Sequence, residues 1–180
     1  IPVITSEAQM LALFGNALSQ LQQEFRFVTA QGFAPTSEMI ARIADTLRHK
    51  YPLSYMGYNG WGSTYYTHEA TGVLDYVINF NFFYDLDTNT LRQWRTATEQ
   101  ETLRLASTLF AQDMPQAEKL LRIHDHLVNV NRYNTANMDE AGNHLAYGAL
   151  VKGSCVCQGY AEACLVLCQA AGIEAVYVPG

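Results

Sequence analysis

The sequence predicts an α+β protein, and three observations predict it. Leu74, Tyr76, Ile78, Phe80, Phe82 and Tyr84 alternate with Asp75, Val77, Asn79, Asn81 and Phe83, the period-two pattern of a long strand. Other segments space their apolar residues three and four apart, which is the helical period. Near the end, Ala163-Cys164-Leu165-Val166-Leu167-Cys168 continues a helical pattern that is apolar nearly all round, as in a helix buried on all sides.

Composition sets outer limits. The chain has 180 residues, 49% hydrophobic and 16% charged, enough for one sizeable core or two small ones. Its net charge is -6 with no Lys/Arg run, so no nucleic-acid partner is expected. No apolar stretch approaches the ~20 residues that span a bilayer. The chain starts at Ile1 without Met, so the N-terminus reads as trimmed, and a removed secretory signal would fit.

The elements follow in order. Ser6 to Gln9 reads as a capping box, and Met10, Leu13, Phe14, Leu18 and Leu21 recur at helical spacing behind it. Phe25-Arg26-Phe27-Val28 reads as a short strand. Pro35, Thr36 and Ser37 open a second helix with Ile40, Ile43, Ala44 and Leu47 on one face. Tyr51 to Gly62 is rich in Gly and Tyr and reads as a loop. Tyr55, Tyr58 and Trp61 within it are expected to pack over a sheet edge, with a stacking platform for a sugar or peptide as the other reading. Thr64 to Glu69 is the expected antiparallel partner of the long strand, turning at Gly72.

Asp85-Leu86-Asp87-Thr88-Asn89 opens like a calcium loop. That loop needs Gly at its sixth position and Glu at its twelfth, where Thr90 and Thr96 stand, so we read a turn. Two helices should follow: one from about Ala97 to Ala111, and, after a break at Asp113-Met114-Pro115, one with Leu120, Ile123, Leu127 and Val130 on its apolar face. Tyr133 to Asn143 is polar and loop-like. After the buried helix, Gly172 supplies a left-handed stop with Ile173 as its hydrophobic contact, and Ala175 to Val178 reads as a buried strand.

The four cysteines, Cys155, Cys157, Cys164 and Cys168, crowd into one segment. A secreted disulfide framework would scatter them, and a zinc knuckle would show Cys-x-x-Cys where this chain has Cys-x-Cys, so neither metal nor cofactor is expected. A cysteine in the first turn of a buried helix meets unpaired N–H groups and the positive end of the helix dipole, which favour a thiolate, the nucleophilic form. On that ground alone, Cys157 reads equally well as a nucleophile or as a small buried residue like Cys164 and Cys168. Gly159 costs ~1 kcal/mol inside a helix, so a substrate or neighbouring strand should approach closely there.

The wider stretch favours the nucleophile. Ala146-Tyr147-Gly148-Ala149-Leu150, then Cys157-Gln158-Gly159-Tyr160-Ala161, then Gly172-Ile173 and the segment to Gly180 resemble the transglutaminase-like superfamily. So do Lys119-Leu120-Leu121-Arg122-Ile123-His124-Asp125-His126-Leu127 and Tyr133. The resemblance spans residues 115 to 180. It implies a papain-like α+β core in which a central helix bearing the nucleophile packs on an antiparallel sheet. On this reading residues 1-113 form an N-terminal α+β extension and residues 114-180 the first part of a catalytic domain that is incomplete at its C-terminus.

The resemblance also implies the chemistry. Cys157 would attack a peptide or Gln-type carboxamide, a histidine and an aspartate beyond this chain would complete the triad, and hydrolysis is favoured over protein cross-linking. The partner would be a protein or peptide, a cell-wall peptide among them, and bacterial members of this type often sit at the cell surface. The backbone N–H of Cys157 would help bind the oxyanion, with Tyr147 and Gln158 as candidate oxyanion or substrate-lining residues. Tyr147 also reads as a core tyrosine. His144, the histidine nearest Cys157 in the chain, is a candidate base, whereas His124 and His126 read as surface or packing residues. The alternative function is a non-catalytic binding or structural module of the same fold.

Overall fold

A computed structural model describes residues 1-30, 32-70 and 73-178, the side chains of 68-70 and 73-75 excepted. It divides into two compact units, Ile1–Asp85 and Leu86–Gly180. Both helices and strands are present, as expected for an α+β protein.

The first unit is a four-stranded sheet covered by helices. The strands β1 (Val3–Ile4), β2 (Glu24–Thr29), β3 (Tyr58–Ala70) and β4 (Val73–Tyr84) lie in the order β1-β2-β4-β3, with β1 parallel to β2 and the other pairs antiparallel. Helices α1 (Glu7–Ser19) and α2 (Ser37–Lys50) carry the apolar faces that the sequence predicts. Ser6 caps α1 by accepting from the Gln9 amide, and Thr36 caps α2 by accepting from Met39.

Register decides which side of the sheet is buried. Ser63 and Phe25 both stand opposite Phe80, and Phe27 stands opposite Ile78. One face therefore gathers odd residues of β2 and β3 and even residues of β4. Phe14 of α1 meets this face. Its ring centroid lies 4.6 Å from that of Phe80, 5.4 Å from Phe82 and 5.6 Å from Phe25. These rings, with Met10, Leu18, Ile43 and Leu47, form the core of the unit.

The expected loop at Tyr51 to Gly62 is corrected. Pro52–Tyr55 is a short helical turn, α3, and from Tyr58 the chain is already in β3. Gly57 forms the turn before the strand and Gly60 a strand irregularity. Gly57 and Gly60 take φ of 81° and 139°, and the register slips between Tyr58 and Gly60, which is a bulge in an edge strand. Tyr55, Tyr58 and Trp61 pack against the core, with Trp61 stacked 5.3 Å from Phe80. The expected turn residue Gly72 lies outside the described residues.

The second unit begins with α4 (Thr88–Leu109), which starts nine residues before the predicted Ala97. Asp87 caps it, accepting from the amides of Asn89 and Thr90 and from the Thr90 hydroxyl, and these bonds hold its carboxyl below the usual carboxylate range. Two of the four buried residues of α4 are Thr98 and Thr102. Each donates its hydroxyl to the carbonyl four residues back, at 2.7 Å, so burial leaves no orphan donor. An apolar count does not register such a face.

Helix α5 (Gln116–Val130) buries Ile123 and Leu127, but Leu120 and Val130 of its predicted face are exposed. Strands β5 (Arg132–Tyr133) and β6 (Ser154–Cys155) pair in parallel. Helix α6 (Cys157–Ala170) follows β6. It ends as the sequence predicts. Gly172 has φ of 71°, Ile173 N–H donates to the Cys168 carbonyl at 2.8 Å, and Gly172 N–H donates to Gln169 at 3.1 Å, the paired bonds of a Schellman stop.

Two expectations fail here. Ala175 to Val178 joins no strand ladder among the described residues, and Val176 and Val178 are exposed rather than buried. Helix α6 is not buried on all sides: Ala163 and Leu165 to Cys168 are buried, while Cys157 and Ala161 are exposed. Its first turn reaches the surface. Among the described residues of this unit the only sheet is the two-stranded parallel pair, so an antiparallel sheet under the helix is not present there.

Candidate active site

Cys157 is the first residue of α6, and its side chain is exposed. The residue before it, Val156, is the N-cap and has no side chain that can accept a hydrogen bond. The first intrahelical bond runs from Tyr160 N–H to the Val156 carbonyl. The amides of the opening turn are thus left without a side-chain cap beside a reachable thiol.

The segment behind the helix sets where that turn lies. Val156 N–H donates to the Asn143 carbonyl at 3.0 Å, and Asn134 N–H donates to the Cys155 carbonyl at 3.0 Å. A Cβ on Gly159 would stand 2.4 Å from Asn143 O, 2.7 Å from Cys155 Cβ and 3.2 Å from Leu145 O. The close approach anticipated at Gly159 is therefore made by the neighbouring backbone at 143-145. Gly148 is pinned similarly, since a Cβ there would stand 2.3 Å from Gly142 O. Both glycines let the chain fold back under the start of α6.

Asn143 is fully buried, with Nδ2 donating to the Asn137 carbonyl at 2.7 Å and Oδ1 without a partner. The sequence reading missed this residue, because an Asn in a polar stretch looks solvated. Its one signal was indirect: the glycine at 159 demanded a neighbour.

The other candidates separate. Gln158 is half-buried and donates from Nε2 to Glu162 Oε1 at 3.2 Å. Glu162 Oε2 accepts from the Ala146 amide at 3.3 Å, which ties the first turn of α6 to the segment before Tyr147. Tyr147 is half-buried and its ring stacks on Trp94 of α4, with centroids 4.3 Å apart and an interplanar angle of 3°. That contact is the packing role of a core tyrosine. Tyr133 and Tyr160 stack at 6.4 Å beside Cys155, whose partial pairing with Asn131 (3.8 Å) leaves its thiol buried. Burial, with Cys157 nearby, pushes the Cys155 thiol up to about 11, so it is the poor nucleophile of the pair.

His124 is exposed and its Nδ1 lies 3.0 Å from Asp125, while His144 Nε2 lies 2.7 Å from the Met138 carbonyl. His126 is partly buried, which lowers its pKa. Among the described residues no histidine is hydrogen-bonded to Cys157. Cys164 and Cys168 lie one turn apart on α6 and influence each other's titration. The neighbouring Cys168, with His124, holds Cys164 below the ordinary thiol range, while Cys164 and burial push Cys168 above it.

Residues 103-180 match the model of the transglutaminase-like superfamily. The resemblance carried by Cys157-Gln158-Gly159-Tyr160-Ala161 lies within the matched residues. A search of curated proteins finds no match to the chain.

Proposed function

We propose that the protein is a thiol-dependent acyl-transfer enzyme acting on peptide or Gln-type amides, with Cys157 as its nucleophile. One observation carries this reading: among four cysteines, Cys157 alone is exposed, and it stands at the uncapped start of a 14-residue helix. The Cys157 sulfur attacks the carboxamide carbon, forming a C–S bond and a tetrahedral oxyanion. The backbone N–H of Cys157 points its partial positive charge at that oxygen. The C–N bond then breaks, the amine leaves with a proton, and a thioester remains. Water or a second amine attacks the thioester, releasing the acyl group and restoring the thiol. The reading assigns proton transfer to a histidine outside the described residues, since none within them is hydrogen-bonded to Cys157.

The same lack of a bonded histidine favours a second reading, a binding or structural module of this class without turnover. One experiment separates them. Uncharged Gln-containing peptides are incubated with the protein and with Cys157→Ala, and released ammonia, new carboxylate ends and an added primary amine are followed by mass spectrometry. Turnover lost in the variant supports the enzyme, and amine incorporation would mark cross-linking over hydrolysis. Turnover that survives Cys157→Ala refutes the assignment.

A further inference from the structure

The first unit holds a cavity of about 470 Å³, within the range of small-ligand sites. It opens where the helices stop covering the core face of the sheet. Opposite pairs Ser63–Phe80, Tyr65–Ile78 and Thr67–Tyr76 share that face. Phe80 and Ile78 are buried beneath helix side chains, yet Tyr65, on the same face, is 66% exposed. A residue on the buried side of a sheet is left in water there, beside a hollow.

The chemistry of the lining narrows the occupant. Phe27, Ile40 and Phe80 supply an apolar floor, and Trp61 and Tyr76 add aromatic rings. Trp61 lies flat on Phe80, at an interplanar angle of 13°, and Tyr65 stands edge-on to Tyr76 with centroids 5.9 Å apart. The polar lining is hydroxyl: Ser37, Ser63 and Thr67, with the two tyrosines. Among the described residues the lining holds no charged side chain.

Among the described residues an ionic ligand would find no countercharge, and a purely apolar one would strand hydroxyls that need partners. Flat rings matched with neutral donors and acceptors suit a ligand with apolar C–H faces and many hydroxyls. We propose that this cavity binds an uncharged glycan, seating a sugar ring against Trp61 and Tyr65 with its hydroxyls bonded to Ser37, Ser63 and Thr67. The proposal does not depend on the chemistry at Cys157 and stands or falls without it.

The test titrates the whole chain with a glucose tetrasaccharide and an N-acetylglucosamine tetrasaccharide, by calorimetry and tryptophan fluorescence. Saturable binding of at least one is expected. Tyr65→Ala should weaken it roughly tenfold, through loss of an aromatic contact and a hydroxyl. Ser63→Ala should weaken it several-fold. Both positions are exposed, so circular dichroism and melting should match the unmodified protein. Absence of saturation at millimolar saccharide, or affinity unchanged in both variants, overturns the proposal. So does binding of an alternating Thr-Val peptide, a match for the β3 edge, in place of either saccharide.

Discussion

Replacing Gly159 by Ala tests how the start of α6 is held. In an unconstrained helix this change would stabilise by ~1 kcal/mol, because Ala is the better helix former. Here the new methyl meets Asn143 O at 2.4 Å, Cys155 Cβ at 2.7 Å and Leu145 O at 3.2 Å. Two of the three obstacles are backbone carbonyls, so no side-chain rotation relieves them. Separating the segments to ordinary contact moves them by about 1 Å and stretches the 3.0 Å bond from Val156 N–H to Asn143 O. Overpacking of this kind costs ~1–3 kcal/mol or more, and the strained bond adds about 1 kcal/mol. After the propensity gain, we expect a net loss of about 2 kcal/mol by urea denaturation. Alkylation of Cys157, followed by mass spectrometry, should change rate in the same variant. Gly172→Ala serves as the contrast: no atom lies within 4 Å, and its φ of 71° alone should cost about 1 kcal/mol. A Gly159→Ala protein as stable as the parent, or more so, would refute the packing of 143-145 under α6.

Three more outcomes follow from the geometry. Site-resolved alkylation against pH should show Cys164 reacting at lower pH than an ordinary thiol, and Cys155 only near its value of about 11; Cys168→Ala should move Cys164 back upward, because the neighbouring thiol that favours its thiolate is gone. Any pH profile assigned to Cys157 must therefore be read at that residue, not from total thiol. Tyr147→Phe should leave stability unchanged, since the Trp94 stack needs only the ring, while Tyr147→Ala should cost about 2 kcal/mol in a urea melt; a loss of turnover in Tyr147→Phe without loss of stability would restore a role for the hydroxyl. Phe14→Ala should cost ~3–5 kcal/mol, measured the same way, because its ring is fully buried against Phe25, Phe80 and Phe82.

Parts of the fold were legible because a local rule produced them. Ser6, Thr36 and Gly172 act through bonds to residues a few positions away, so the caps and the stop could be read directly. The alternation from Leu74 to Tyr84 marked β4 because one face of a pleated strand is buried. Where long-range packing overrode local preference, the reading failed. Gly60 looked like a loop residue and sits at a bulge, because the partner strand makes the irregularity tolerable. The first nine residues of α4 were missed because they bury a single apolar residue, Leu91, too few to show a helical period.

The candidate site divides along the same line. The amino-acid order by itself determined that a cysteine begins a helix, that a glycine follows two residues later at a cost, and that the surrounding motif resembles one superfamily; each is a property of neighbours in the chain. Only the tertiary structure decided that the Cys157 thiol is exposed while Cys155 is sealed, that Asn143 fills the space opened by Gly159, and that Tyr147 is spent on Trp94. Exposure and close approach depend on residues distant in sequence, and their positions are set by how whole segments pack rather than by any short-range preference.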